Sequence, residues 1–125
     1  MIKYLVYVFI GGGFGSMARY LISLWIPWNT TSVPWATFTA NFIACLLIGA
    51  FWMLGSRQLL DAPWRLLLIT GFCGGFSTFS TFSNELFLLG EEGNWVTAAS
   101  YALISMLCCW LGVFLGVWVT DQWTA

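Results

Sequence analysis

The chain has 125 residues, of which 60% are hydrophobic and 7% charged, with a mean hydropathy of +0.85 and a net charge of −1. A water-facing domain carries roughly 25% charged residues, so four Lys/Arg and five Asp/Glu exclude a soluble globular fold. No basic cluster points to nucleic acid, and the long continuous apolar runs exclude the strands of about ten alternating residues that build a membrane β-barrel.

At about 20 residues per crossing, the length predicts four transmembrane helices with short connections and a single all-α domain. The first span covers about residues 4–26 and carries Gly11, Gly12, Gly13, Gly15, Ser16 and Arg19. Only Lys3 precedes it and no small-residue cleavage site stands before Arg19, which predicts a retained helix and not a cleaved leader. The second span, about 36–54, places Thr37 and Asn41 four residues apart on one face. An Asn amide brings two donors into the membrane interior, and they need a carbonyl or an anion as acceptor. The third span covers about 64–89. The fourth, about 95–120, places Tyr101 and Ser105 four residues apart. Each of these polar pairs serves either as glue between helices or as part of a polar track.

The connections fit this division. Pro27, Pro34 and Pro63 are expected in them, where a missing N–H costs nothing, and Gly90 and Gly93 punctuate the third. Trp25, Trp28, Trp35, Trp64, Trp95, Trp118 and Trp123 stand near the expected ends, at headgroup depth. An even number of spans puts both termini on one side with Lys3, Arg57 and Arg65, against Arg19 near the other. This bias mildly favours termini inside and is weak enough for both orientations to be inserted. An antiparallel homodimer with a two-fold axis in the membrane plane then becomes available. Gly11 with Gly15, Gly71 with Gly75 and Gly112 with Gly116 allow close helix approach, within one chain or between two.

The third span is the unusual one. From Gly71 to Glu85 it reads GFCGGFSTFSTFSNE. Gly71, Gly74 and Gly75 weaken a helix, and Ser77, Thr78, Ser80, Thr81 and Ser83 compete for its backbone, so the run predicts a break near mid-span. Irregular backbone at that depth is tolerated only where protein or a water-filled cavity satisfies it. Freed carbonyls suit a cation and freed N–H groups an anion. Phe76, Phe79 and Phe82, spaced by three, are expected on one helix face. Their positive ring edges offer a small anion a partner without a fixed charge that would trap it.

Arg19 and Glu85 are the only charges well inside the spans. Arg19 is expected to snorkel or to cap a vestibule, and Glu85 to pair with a backbone donor. Cys45, Cys73, Cys108 and Cys109 all fall in apolar runs, form no CxxC pair and are accompanied by no His, so they read as small packing residues and not as zinc ligands. No nucleophile–base pair or metal-ligand cluster points to an enzyme.

Three motifs together resemble the Fluc (CrcB-like) fluoride channels: GGGFGSMARY from Gly11 to Tyr20, PWATFTAN from Pro34 to Asn41, and the run from Gly71 to Glu85. The third is the longest and most specific, and the resemblance in length and span count covers the whole chain. It implies a passive fluoride-selective channel that confers fluoride resistance, set in the inner membrane of a prokaryote. It implies an antiparallel dual-topology homodimer with two pores and a central structural sodium ion. By position, Phe79 and Phe82 would be the rings on the fluoride path, with Asn41 as the donor working beside them. Ser80 and Thr81 would lie at the helix break, and Thr37, Tyr101 and Ser105 would line the polar track. Arg19 would sit at the vestibule, and Gly74 and Ser77 would offer sodium-binding carbonyls. Ala36 replaces a frequent Gly and Ser77 a frequent Thr, and neither change removes a group that the function needs.

Two other classes compete. A small multidrug exporter has the same size and span count, but its proton exchange needs a carboxylate in the first span, and none is present. A scaffold protein would explain the glycines as packing but not the concentration of hydroxyls at one depth.

Overall fold

The computed structural model describes all 125 residues, Met1–Ala125, and every regular element is helical. α1 is Ile2–Trp25 and α2 is Trp35–Ser56. The third span, Ala62–Glu91, is two helices. Its first part, α3, begins as α-helix at Ala62–Arg65, widens into a π-helix at Leu66–Cys73 and closes at Gly74–Phe76. After an interruption at Ser77 and Thr78 comes α4, Phe79–Glu91. α5 is Trp95–Thr124. The four spans have mean hydropathies from 1.3 to 2.2. At 1.5 Å per residue even a 22-residue helix is about 33 Å long, enough for a hydrocarbon core of about 30 Å.

The chain turns its apolar side chains outward. No more than 28% of any apolar span window is buried, and Phe9, Val96, Leu107 and Phe114 all face away from the protein. Lipid solvates such a surface, so helix association rests on close van der Waals fit and internal hydrogen bonds. The fit comes from glycine. α1 lies along α3, and α2 along α5. A Cβ at Gly11 would strike the Leu67 carbonyl, and one at Gly75 the Gly12 carbonyl. Between α2 and α5, Gly112 lies against Cys45, and Gly116 lies on the backbone of Leu46 and Ala50. In both pairs, residues later in one helix meet residues later in the other, so each pair runs parallel. The glycine pairs therefore work inside one chain.

Polar contacts tie the ends. In the first connection the Asn29 side-chain oxygen accepts the Thr31 N–H at 3.1 Å and the Thr31 hydroxyl at 2.6 Å. Asn94 donates to the Thr30 carbonyl at 3.0 Å, which joins the first and third connections at one end of the bundle. At the other end Arg57 pairs with Asp121 and donates to the Thr124 carbonyl at 2.9 Å. Gly93, with φ +76°, ends the turn after α4, and the Asn94 N–H reaches back to the Leu89 carbonyl at 2.8 Å. Trp25, Trp35, Trp64, Trp95, Trp118 and Trp123 are exposed near helix ends.

Two local expectations change. Pro63 stands in the first turn of α3 and not in the connection; the first N–H groups of a helix have no internal partner, so a Pro there loses nothing. Phe76 does not share a face with Phe79 and Phe82. It closes α3 on the far side of the break and is buried with Ala40 and Ala44.

Candidate functional site

The break sets the geometry of the site. Ser77 (φ −76°, ψ 156°) and Thr78 (φ −152°, ψ 113°) are extended. Ser80 and Thr81, expected at the break itself, stand instead in the first turn of α4. The Thr78 hydroxyl caps that turn: it accepts the Thr81 N–H at 3.1 Å and donates to the Thr81 hydroxyl at 3.0 Å. Its contact with the Ser80 hydroxyl is 3.3 Å. Such a cap satisfies a helix N–H that has no partner within the helix.

Asn41 of α2 replaces the backbone partners that Thr78 lacks. Its side-chain oxygen accepts the Thr78 N–H at 2.7 Å, and its amide nitrogen donates to the Thr78 carbonyl at 3.3 Å. One of the two amide hydrogens is left over. Upstream, the Ser77 hydroxyl donates to the Cys73 carbonyl at 2.8 Å. The Gly75 carbonyl accepts Arg19 Nε at 3.2 Å and the Ser16 hydroxyl at 3.4 Å, so Arg19 points at the end of α3.

Beside the break lies a groove of about 240 Å³, lined by Asn41, Ser77, Thr78, Phe79, Phe82 and Ser105 and continued by Cys45, Met106 and Cys109. The Phe79 and Phe82 ring centroids are 5.8 Å apart with the planes tilted by 39°. Phe79 is 80% exposed and Phe82 only 8%. Phe82 also meets the Tyr101 ring at 5.1 Å. Ser105 is buried in this wall, and its hydroxyl oxygen has no hydrogen-bond partner. A smaller cavity of about 150 Å³ lies on the other side of Thr78, lined by Arg19, Tyr20, Ser23, Ala36, Thr37, Thr78 and Thr81.

Glu85 is the residue whose surroundings the sequence left hidden. It is 6% exposed, and it pairs with side chains, not with the backbone donor expected for it. One carboxylate oxygen accepts the Thr37 hydroxyl at 2.5 Å and the other accepts the Tyr101 hydroxyl at 2.8 Å. A single carboxylate thus joins α2, α4 and α5. Thr37 and Tyr101 come together here, while Asn41 and Ser105, one turn along each helix, face the groove. Thr78, also not expected as a site residue, lines both cavities. The only signal for it was its place among the hydroxyls of the third span.

Four apolar spans, with hydroxyl and amide groups set in a largely apolar groove at a mid-span helix break, define a multi-pass α-helical membrane protein. Residues 6–117 match the family described as CrcB-like protein, Camphor Resistance (CrcB). The chain belongs to that family. It is 44% identical over 120 residues to the fluoride-specific ion channel FluC of Phocaeicola vulgatus, covering 95% of this chain and 99% of the relative. It is 40% identical over 120 residues to that of Leptospira interrogans, covering 94% of each. To that of Escherichia coli it is 39% identical over 126 residues, covering 100% of this chain and 99% of the relative.

Proposed function

We propose that the chain is a passive fluoride-selective channel, not an enzyme, which lets cytoplasmic fluoride leave down its electrochemical gradient and so confers fluoride resistance. The observation that carries the reading is the buried, unpartnered Ser105 hydroxyl, which faces the same groove as the spare Asn41 amide hydrogen and the Phe79–Phe82 ring pair. A buried hydroxyl without a partner is costly, and an anion in the groove would accept from it. The names of relatives identical at 39–44% over nearly the whole chain supply the identity of that anion.

The chemistry of the wall suits a small, strongly hydrated ion. Fluoride gives up its water at high cost. Weak donors and ring edges in series replace that water without a site tight enough to hold the ion. Asn41, Ser105, Phe79 and Phe82 form that series, and Thr37 and Thr81, which line the smaller cavity with Arg19, extend it toward the vestibule. Export needs no coupled energy, because the membrane potential drives the anion outward.

The groove is open on one side in a single chain, which favours completion by a second copy. The charge bias is weak enough to leave an antiparallel, dual-topology homodimer open, and the family resemblance suggests two pores per dimer in the inner membrane of a prokaryote. A structural sodium ion between the copies suits the carbonyls of Gly74 and Ser77. Hard cations take oxygen ligands. The N–H four residues after Gly74 belongs to Thr78 and turns to Asn41, so Gly74 lacks the donor that an unbroken helix would offer. A bound sodium would supply fixed positive charge that holds the breaks of the two copies together.

Fluoride efflux from liposomes containing the purified protein tests the reading, with a fluoride electrode as readout and chloride as the comparison ion. Fast passive fluoride release without matching chloride release is the expected result. Release no faster than from protein-free liposomes, with topology and assembly verified, overturns it.

A further inference from the structure

The polar faces of α2 and α5 do not end at Asn41 and Ser105. One further turn along, at the same spacing of four, stand Cys45 on α2 and Cys109 on α5. Cys45 and Cys109 both line the groove. Met106, three residues before Cys109, lines it as well. Three sulfur atoms from two helices therefore converge on one cavity of about 240 Å³. The sequence suggested packing residues at both cysteine positions, and that description suits Cys73, which is fully buried.

Sulfur donors select soft metal ions, and no carboxylate or imidazole lines this groove to favour a hard ion or tetrahedral zinc. We propose that Cys45, Cys109 and Met106 form a site for a soft monovalent d10 cation of the copper(I) and silver(I) class. On binding, each thiol gives its proton to water and each sulfur forms one bond to the metal, while the Met106 thioether donates a lone pair. No electron is transferred. Two thiolates around one monovalent cation leave a net negative charge on the groove wall, one turn from Asn41. If the groove is the fluoride path, as proposed above, that charge repels the anion and closes the path.

Silver(I), added as the nitrate in chloride-free buffer to the purified full-length protein, is the probe. Bound silver is measured by elemental analysis after desalting and by titration calorimetry, neither of which depends on conduction. In a Cys73→Ala/Cys108→Ala background the expected result is one tightly held silver ion per chain, released by excess dithiol. Adding Cys45→Ser or Cys109→Ser is expected to weaken binding about tenfold or more. Should that background fail to fold, the single serine variants in the otherwise unchanged chain give the same comparison. Equal binding with and without the pair, or binding that disappears with Cys73 and Cys108, overturns the proposal. Fluoride efflux with and without silver separates the two readings. Silver bound at the pair with efflux unchanged leaves the metal site standing and removes the groove as the ion path.

Discussion

Asn41 and Thr78 form a reciprocal pair: the Asn41 side chain accepts the Thr78 N–H at 2.7 Å and donates to the Thr78 carbonyl at 3.3 Å. Thr78 is the second residue of the interruption in the third span and the cap from which its second helix starts. A backbone amide without a partner in a membrane interior costs several kcal/mol, and one Asn side chain satisfies both of its polar groups. The same side chain faces the groove, so the residue that stabilises the break also presents a donor to whatever enters.

Asn41→Asp keeps the acceptor for the Thr78 N–H but removes the donor and places an anionic group in the wall. Fluoride efflux is expected to fall about tenfold or more through like-charge repulsion. Electrode-based efflux from liposomes checks this, and normal efflux would take Asn41 off the path.

Phe79→Ile and Phe82→Ile test the ring edges. Efflux is expected to drop about tenfold or more in both, because an aliphatic side chain has no positive edge. Their stabilities should differ. Phe79 is 80% exposed, so its replacement leaves the melting temperature nearly unchanged, whereas Phe82, which packs on Tyr101, loses about 1–2 kcal/mol. Unchanged flux in both variants removes the ring-edge mechanism.

Glu85→Ala leaves the buried Thr37 and Tyr101 hydroxyls without their shared acceptor. Two unsatisfied buried groups are expected to cost about 2–4 kcal/mol of stability. Glu85→Gln keeps one carbonyl acceptor and should cost less than half as much. Thermal or detergent-induced unfolding of the purified variants measures both, and equal losses for Ala and Gln would show that the hydroxyls do not depend on the carboxyl position.

Gly75→Val drives a branched side chain into the Gly12 backbone of α1. Backbone cannot give way as a flexible side chain does, so a loss of about 3 kcal/mol or more is expected, with little folded protein recovered. Gly13→Ala, where an added Cβ meets nothing within 4 Å, is the matched control and should behave as the parent chain. Monodisperse elution from a sizing column distinguishes the two.

Sodium is expected to stabilise the dimer. Exchange of sodium for a bulky organic cation should lower the dimer fraction of purified protein at a fixed concentration, by linkage between ion binding and assembly. Identical dimer fractions in the two salts would remove the Gly74 and Ser77 carbonyl site.

Much of the molecule was legible in the sequence because the signals are local. Four long apolar runs with almost no charge can be satisfied only in lipid, and the spans follow from their lengths. The cluster of Gly, Ser and Thr after Gly71 announced a helix break, since it weakens a helix wherever it stands. The spacing of four between Thr37 and Asn41, and between Tyr101 and Ser105, placed each pair on one face before any packing was considered. What the sequence could not carry were the meetings between helices. Glu85 finds Thr37 and Tyr101, and Asn41 finds Thr78, only because glycine contacts bring α1 against α3 and α2 against α5 at set heights. The break separates Phe76 from Phe79 and Phe82, which an unbroken helix would have aligned. The same parallel packing of α2 on α5 brings Cys45 and Cys109, separate small residues in the chain, to the wall of one groove. Local pattern determines which segments cross the membrane and where one of them breaks; the relative height and rotation of the helices, set by backbone contact at glycine, decide which side chains share a site.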